Sequence, residues 1–113
     1  MAYGTRAAYE PIRELAFGSI TASYQAVGNA ISDHARIVRF VNTMDKAIYI
    51  SLDGTTNEDI VPANGYVLYD FSTNRIRDDG LFLPLGTTFY AKQVAAPASG
   101  SLYIVVIHAQ GGV

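Results

Sequence analysis

The chain has 113 residues and a mass of 12.2 kDa, with eight basic and ten acidic side chains, a formal charge of −2 and a pI near 5.5. That length suits a single domain, and the charge balance supplies no positive field to draw nucleic acid. Cysteine is absent, which excludes disulfides and thiolate metal sites.

In chain order, residues 1–30 differ in character from the remainder of the chain. The segment 1–10 is small and polar, with scattered Tyr3 and Tyr9, and Pro11 interrupts any helix there. Residues 12–15 suit one helical turn, 17–21 (FGSIT) suit a first strand, and 24–27 (YQAV) continue it after a kink. Gly28-Asn29 then breaks the pattern. This reads as an extended N-terminal arm over residues 1–16, leading into a sandwich domain over 17–113. Such an arm is ordered only when something ties it down.

From residue 35 the chain becomes a series of short apolar runs closed by turn signals. Runs 35–42 (ARIVRFVN), 47–52 (AIYISL), 66–71 (YVLYDF), 87–95 (TTFYAKQVA) and 101–109 (SLYIVVIHA) are rich in Val, Ile, Tyr, Phe and Thr. Those residues fit a pleated, half-buried surface. Between the runs stand Asp53-Gly54, Asn64-Gly65, Asp79-Gly80 and Ser99-Gly100, dipeptides that tolerate positive φ. Asn64-Gly65 is a strong local hairpin signal. The polar connection 73–80 is long enough to cross between sheets, as Greek-key sandwiches require.

Alternation assigns faces. In 47–52, Ile48, Ile50 and Leu52 oppose Ala47, Tyr49 and Ser51; in 66–71, Val67, Tyr69 and Phe71 oppose Tyr66, Leu68 and Asp70. The last run breaks the rule, because Leu102, Ile104 and Val106 oppose Tyr103, Val105 and Ile107, and both sets are apolar. A strand apolar on both faces is usual in parallel sheets, yet these turns are too short for crossover helices. In an antiparallel sandwich the second apolar face needs cover from the arm or from another copy of the chain. The expected fold is therefore all-β, an antiparallel β-sandwich, Greek-key or jelly-roll-like, with an extended N-terminal arm.

Composition points the same way. Charged residues are 16% of the chain, against roughly 25% in ordinary soluble domains. Eight Tyr and five Phe accompany that deficit. Interfaces favour aromatics and deplete Lys and Glu. No apolar stretch approaches the roughly 18 residues of a membrane span. The first seventeen residues lack the apolar centre and cleavage site of a secretory signal. A soluble chain without membrane partners is expected.

The inventory for chemistry is thin. His34 and His108 are the only histidines, and neither has an Asp or Glu at metal-ligand spacing. No serine lies in a nucleophile elbow and no glycine-rich phosphate cradle exists. Asp53, Asn57, Glu58 and Asp59 crowd one loop without the ligand alternation of an EF-hand; they read as a solvated turn in which side chains bond nearby backbone. Arg36 and Arg39, three apart on one strand, face opposite ways, so at least one is solvated or paired with an acid on a neighbour. No catalytic residue, cofactor or metal site is expected, and no enzyme.

The segments GSITASYQAVG (18–28), ARIVRFVNTMDKAIYISLDG (35–54), VLYDFSTNRIRDDGLFLPLGTTFYAKQ (67–93) and GSLYIVVIHA (100–109) together resemble a group of small β proteins encoded among the virion genes of tailed bacteriophages. The distinctive pieces are Ser51-Leu52-Asp53-Gly54 and DDGLFLPLGTTFYAK, turn and strand signatures rather than catalytic motifs. The resemblance implies a structural particle component, located in the virion: a capsid decoration protein or a part of the head–tail junction. Its implied partners are further copies of itself and the major capsid protein or portal and collar proteins. On the residues, assembly is expected to run through Tyr3, Tyr9, Ile12 and Phe17 of the arm and Tyr103, Val105 and Ile107 of the last strand. The alternative is a module of a tail or head fibre that recognises a host-surface glycan or protein through its tyrosines.

Overall fold

A computed structural model of the chain describes residues 7–32, 35–70 and 85–109. Tyr3, His34, the connection 73–80 with its Asp79-Gly80 turn, and Phe71 lie outside the described residues.

Among the described residues nine strands form two antiparallel sheets: β1 (Ala7–Tyr9), β2 (Arg13–Ala16), β3 (Gln25–Val27), β4 (Ala35–Asn42), β5 (Ile48–Ser51), β6 (Asp59–Val61), β7 (Tyr66–Asp70), β8 (Phe89–Gln93) and β9 (Ser101–Ala109). The first sheet has five strands, in the order β1-β9-β4-β7, with β2 on the same edge of β9 as β1. The second has four, in the order β3-β8-β5-β6. From β2 onward every connection except β5–β6 passes from one sheet to the other. This is the wiring of a jelly roll, two Greek keys wrapped face to face. The expected antiparallel sandwich is what the chain forms.

The inward faces follow the alternation. Val38 and Phe40 of β4, Ile48 and Ile50 of β5, Phe89 and Ala91 of β8, and Leu102, Ile104 and Val106 of β9 are all buried. Phe40 sits at the centre, edge-on to Phe89 at 5.6 Å and to Tyr69 at 5.8 Å. Edge-to-face pairs of this kind add about 0.5–1.5 kcal/mol each beyond their buried area.

Two local readings differ from the structure. Asn64-Gly65 does not close a hairpin, because β6 pairs with β5 in the second sheet while β7 pairs with β4 in the first. The turn instead carries the chain between sheets, with Asn64 at φ 52 and the Gly65 N–H donating to the Pro62 carbonyl at 3.1 Å. A side chain far away in sequence decides this. Buried Asn42 donates through Nδ2 to the carbonyls of Lys46 (2.9 Å), Val61 (3.3 Å) and Pro62 (3.1 Å) and accepts the Met44 N–H at 2.9 Å. It thereby ties the end of β4 to both neighbouring crossings. Gly100 serves the last crossing: at φ +89, a Cβ there would stand 2.4 Å from the Thr43 carbonyl oxygen. Only glycine fits.

The second difference lies at the N-terminus. Phe17–Ser19 is a 3-10 turn rather than a strand, and the first strand of the second sheet starts at Gln25. Residues 7–16, read from sequence as arm with one helical turn over 12–15, instead form β1 and β2 and pair with the chain's own last strand. Tyr9 stands opposite Ile107 and Arg13 opposite Ile104, so residues 11 and 12 together oppose Val105 in a bulge. Pro11 suits that place, since a bulge leaves a backbone group unpaired and proline has no N–H to lose. Beneath the bulge Glu10 and Arg13 are both buried, with Arg13 Nη2 2.7 Å from Glu10 Oε1. Arg13 Nε donates to the Asn29 carbonyl at 2.9 Å, and the guanidinium lies 5.7 Å from the Phe89 ring centre. The pair roofs the core where β2 and β3 meet.

A candidate assembly face

The outward side of the first sheet collects the apolar residues that alternation leaves over. Strand register places Tyr9, Ile107, Ile37 and Asp70 in one row, Val105, Arg39 and Leu68 in the next, and Glu14, Tyr103, Val41 and Tyr66 in a third. Tyr9 is 72% exposed, Tyr66 65% and Leu68 53%, while Tyr103, Val105 and Ile107 are half-buried between flanking strands. A depression of about 160 Å³ is lined by Tyr9, Ile37, Arg39, Leu68, Val105 and Ile107. It shares Arg39 and Leu68 with a broader one of about 680 Å³ that runs to Val41 and Tyr66. The face is thus continuous across four strands.

One cation stands in the middle of it. Arg39 is exposed, with Ile37, Val41, Val105 and Leu68 beside it and Asp70 on the diagonal, and no ion pair or hydrogen bond joins it to a described residue. Glu14 sits at a corner of the face, where Ser101 Oγ donates to its carboxylate at 2.9 Å. An arginine at the centre of an apolar aromatic patch has the make-up of an interface hot spot.

Of the residues expected to carry assembly, the structure brings Tyr9, Tyr103, Val105 and Ile107 onto this face. Ile12 is exposed in the bulge opposite Val105, and Phe17 is exposed in the 3-10 turn with its N–H bonded to the Gly100 carbonyl at 3.0 Å. Phe17 is therefore apart from the rest. Sequence reasoning missed the contribution of β4 and β7, namely Ile37, Arg39, Val41, Tyr66 and Leu68. Alternation in 35–42 and 66–71 signalled them, but nothing local says that these strands flank β9.

The outward side of the second sheet is built differently. Lys92 of β8 lies 4.8 Å from the Tyr24 ring centre and 5.6 Å from that of Tyr49, its register partner on β5. Tyr24 donates to Asn57 Oδ1. Its phenol pKa is raised by burial first and then by the nearby charges of Asp53 and Glu58. The loop between β5 and β6 folds over this side, and a Cβ at Gly54 would lie 3.5 Å from the Tyr90 ring. The tyrosines lie along a strand face with a lysine between two of them, rather than clustering at one end of the sandwich.

Asp53 organises that loop. Its Oδ1 accepts from the Thr55 N–H (2.8 Å), the Thr56 N–H (2.9 Å) and Ser51 Oγ (2.8 Å), and its Oδ2 accepts from Thr56 Oγ1 (3.0 Å). These donors, the two backbone amides first, hold the carboxyl far below the usual aspartate range. Both oxygens are turned inward to the turn. Among the described residues no group of three His, Asp or Glu side chains converges.

Between the sheets, near the same loop, a cavity of about 340 Å³ has Val38, Phe40, Ile50 and Phe89 as its floor and Thr56 to Asp59 at its rim. The Tyr69 hydroxyl donates to Asp59 Oδ2 across this gap, joining β7 of one sheet to β6 of the other. No protein-family model, curated protein or solved structure matches the chain.

Proposed function

We propose that this chain is a structural component of a tailed-bacteriophage virion, attaching as a homo-oligomer to the capsid shell or to the head–tail junction. The observation that carries the reading is the continuous apolar outer face of the five-stranded sheet, with Arg39, unpartnered among the described residues, at its centre. Patches of this make-up belong to protein interfaces more than to free surfaces. The likeness of residues 18–109 to small virion β proteins supports the particle setting. The jelly-roll wiring adds fold-level analogy, since the same architecture serves in capsid proteins as well as in lectins and cupins. Weak contacts repeated by symmetry on a particle add up to durable attachment.

The reading is tested by quantitative mass spectrometry on purified particles made from the genome that encodes the chain. The expected result is a fixed copy number, retained through high-salt washing. Particles that carry none of it overturn the proposal.

A further inference from the structure

The assembly face carries Arg39 among its apolar rows, with Glu14 at one corner and Asp70 at the opposite one. Arg39 on β4 and Glu14 on β2 flank β9 on either side, one register row apart. With strands about 4.8 Å apart and alternate residues about 6.8 Å apart, they lie roughly 12 Å from each other. That is too far for an ion pair within one chain. Arg39 has no partner among the described residues, whereas Glu14 is steadied by Ser101 and keeps acceptor capacity. The midpoint between them falls on β9, between Tyr103 and Val105.

We infer that a second copy of the chain seats face to face here, about a two-fold axis that crosses β9 between Tyr103 and Val105, with each Arg39 against the other copy's Glu14. One axis satisfies both charges at once, which is the economy of an isologous contact. It places Tyr103 and Val105 against their own counterparts, so the twice-apolar last strand becomes the centre of the contact. The same geometry crosses the two sheets at roughly 70°, nearer to orthogonal than to aligned sheet packing. A face four strands wide and about six residues long covers on the order of 500 Å² per copy, below the roughly 800 Å² of a standard stable interface. The isolated pair is therefore weak and concentration-dependent. This inference rests on the proposed function only in using the same face.

The test is sedimentation equilibrium of the purified chain over a wide concentration range, on wild type, Val105→Glu, Arg39→Glu, Glu14→Arg and the double swap Arg39→Glu/Glu14→Arg. Val105→Glu and each single swap are expected to weaken dimerisation at least tenfold. The double swap is expected to return it to within about threefold of wild type, with less dimer at high salt. If Val105→Glu disrupts association while the double swap fails to restore it, the charge pairing is wrong and the face remains an assembly surface. A wild type that stays monomeric at millimolar concentration overturns the second copy as occupant. Mass spectrometry of the particles still decides the proposed function.

Discussion

The two outer faces of this sandwich finish differently: the first sheet is built on the long strands β4 and β9, of eight and nine residues, whereas no strand of the second exceeds five. The second sheet closes its outer side with its own parts. Lys92 lies against Tyr24 and Tyr49, and the loop held by Asp53 lies over Tyr90. The first sheet leaves Tyr9, Tyr66 and Leu68 exposed around an arginine with no described partner. What separates them is the choice of residues at outward positions. Aromatics with a nearby cation and a capping loop satisfy one another locally, whereas the aliphatic rows around Arg39 are left uncovered by the described residues. A single fold thus carries one finished side and one unfinished side.

The largest effects are expected where each sheet is anchored. Arg13→Met removes the cation that pairs with buried Glu10 under the edge of the first sheet. It should cost about 3–5 kcal/mol, because a buried carboxylate loses its countercharge and keeps only hydrogen bonds such as that from the Ser32 N–H; urea denaturation measures this. An unchanged midpoint would mean that β1 and β2 are not integral to the first sheet. Asn42→Leu leaves the buried Met44 N–H and the Val61 carbonyl without their side-chain partner. It is expected to cost about 2–6 kcal/mol in urea denaturation, at about one to three per unsatisfied buried group.

The faces themselves are compared by matched truncations. Leu68→Ser and Tyr49→Ser should each change stability by about 1 kcal/mol or less, since both side chains are partly solvated. Only Leu68→Ser should weaken self-association, by about fivefold in sedimentation; an equal loss for Tyr49→Ser would erase the distinction between the two faces. Lys92→Ala should lower stability by about 0.5–1 kcal/mol through the lost cation–π contacts, with association unchanged.

The smallest effect concerns the loop of the second sheet. Asp53 has a native pKa below its unfolded value of about 3.9, so the unfolded chain binds the proton first. Its contribution is complete above that value and is lost as pH falls below it towards the native pKa. Asp53→Asn should therefore show a shallower acid-side fall in urea midpoint than wild type between pH 5 and about pH 2. A parallel fall in both would remove Asp53 from the acid response.

Much of the fold was readable from local pattern. Period-two alternation placed Ile48, Ile50, Val67 and Tyr69 inward, and the apolar character of both sides of 101–109 singled out the last strand, which lies inside the five-stranded sheet. The Asp53 loop was readable too, because Asp, Thr and Gly at that spacing bond their own backbone. The failures came where a distant partner outvoted a local signal. Asn64-Gly65 has hairpin chemistry, but Asn42 and opposing pairings of β6 and β7 turn it into a crossing. Residues 7–16 resemble a loose arm in isolation, since no nearby run offers pairing; the edge they need is supplied by β9, some ninety residues later.

The amino-acid order alone determined strands β4, β5, β7, β8 and β9, most of their buried sides and the loop that Asp53 holds, because alternation and turn chemistry are properties of neighbours along the chain. Which strands lie side by side is a different matter. Only the folded molecule sets Tyr9, Arg39 and Leu68 around β9 and carries Glu14 across from Arg39. Residues distant in sequence become one surface through hydrogen-bonded register, which no local window contains.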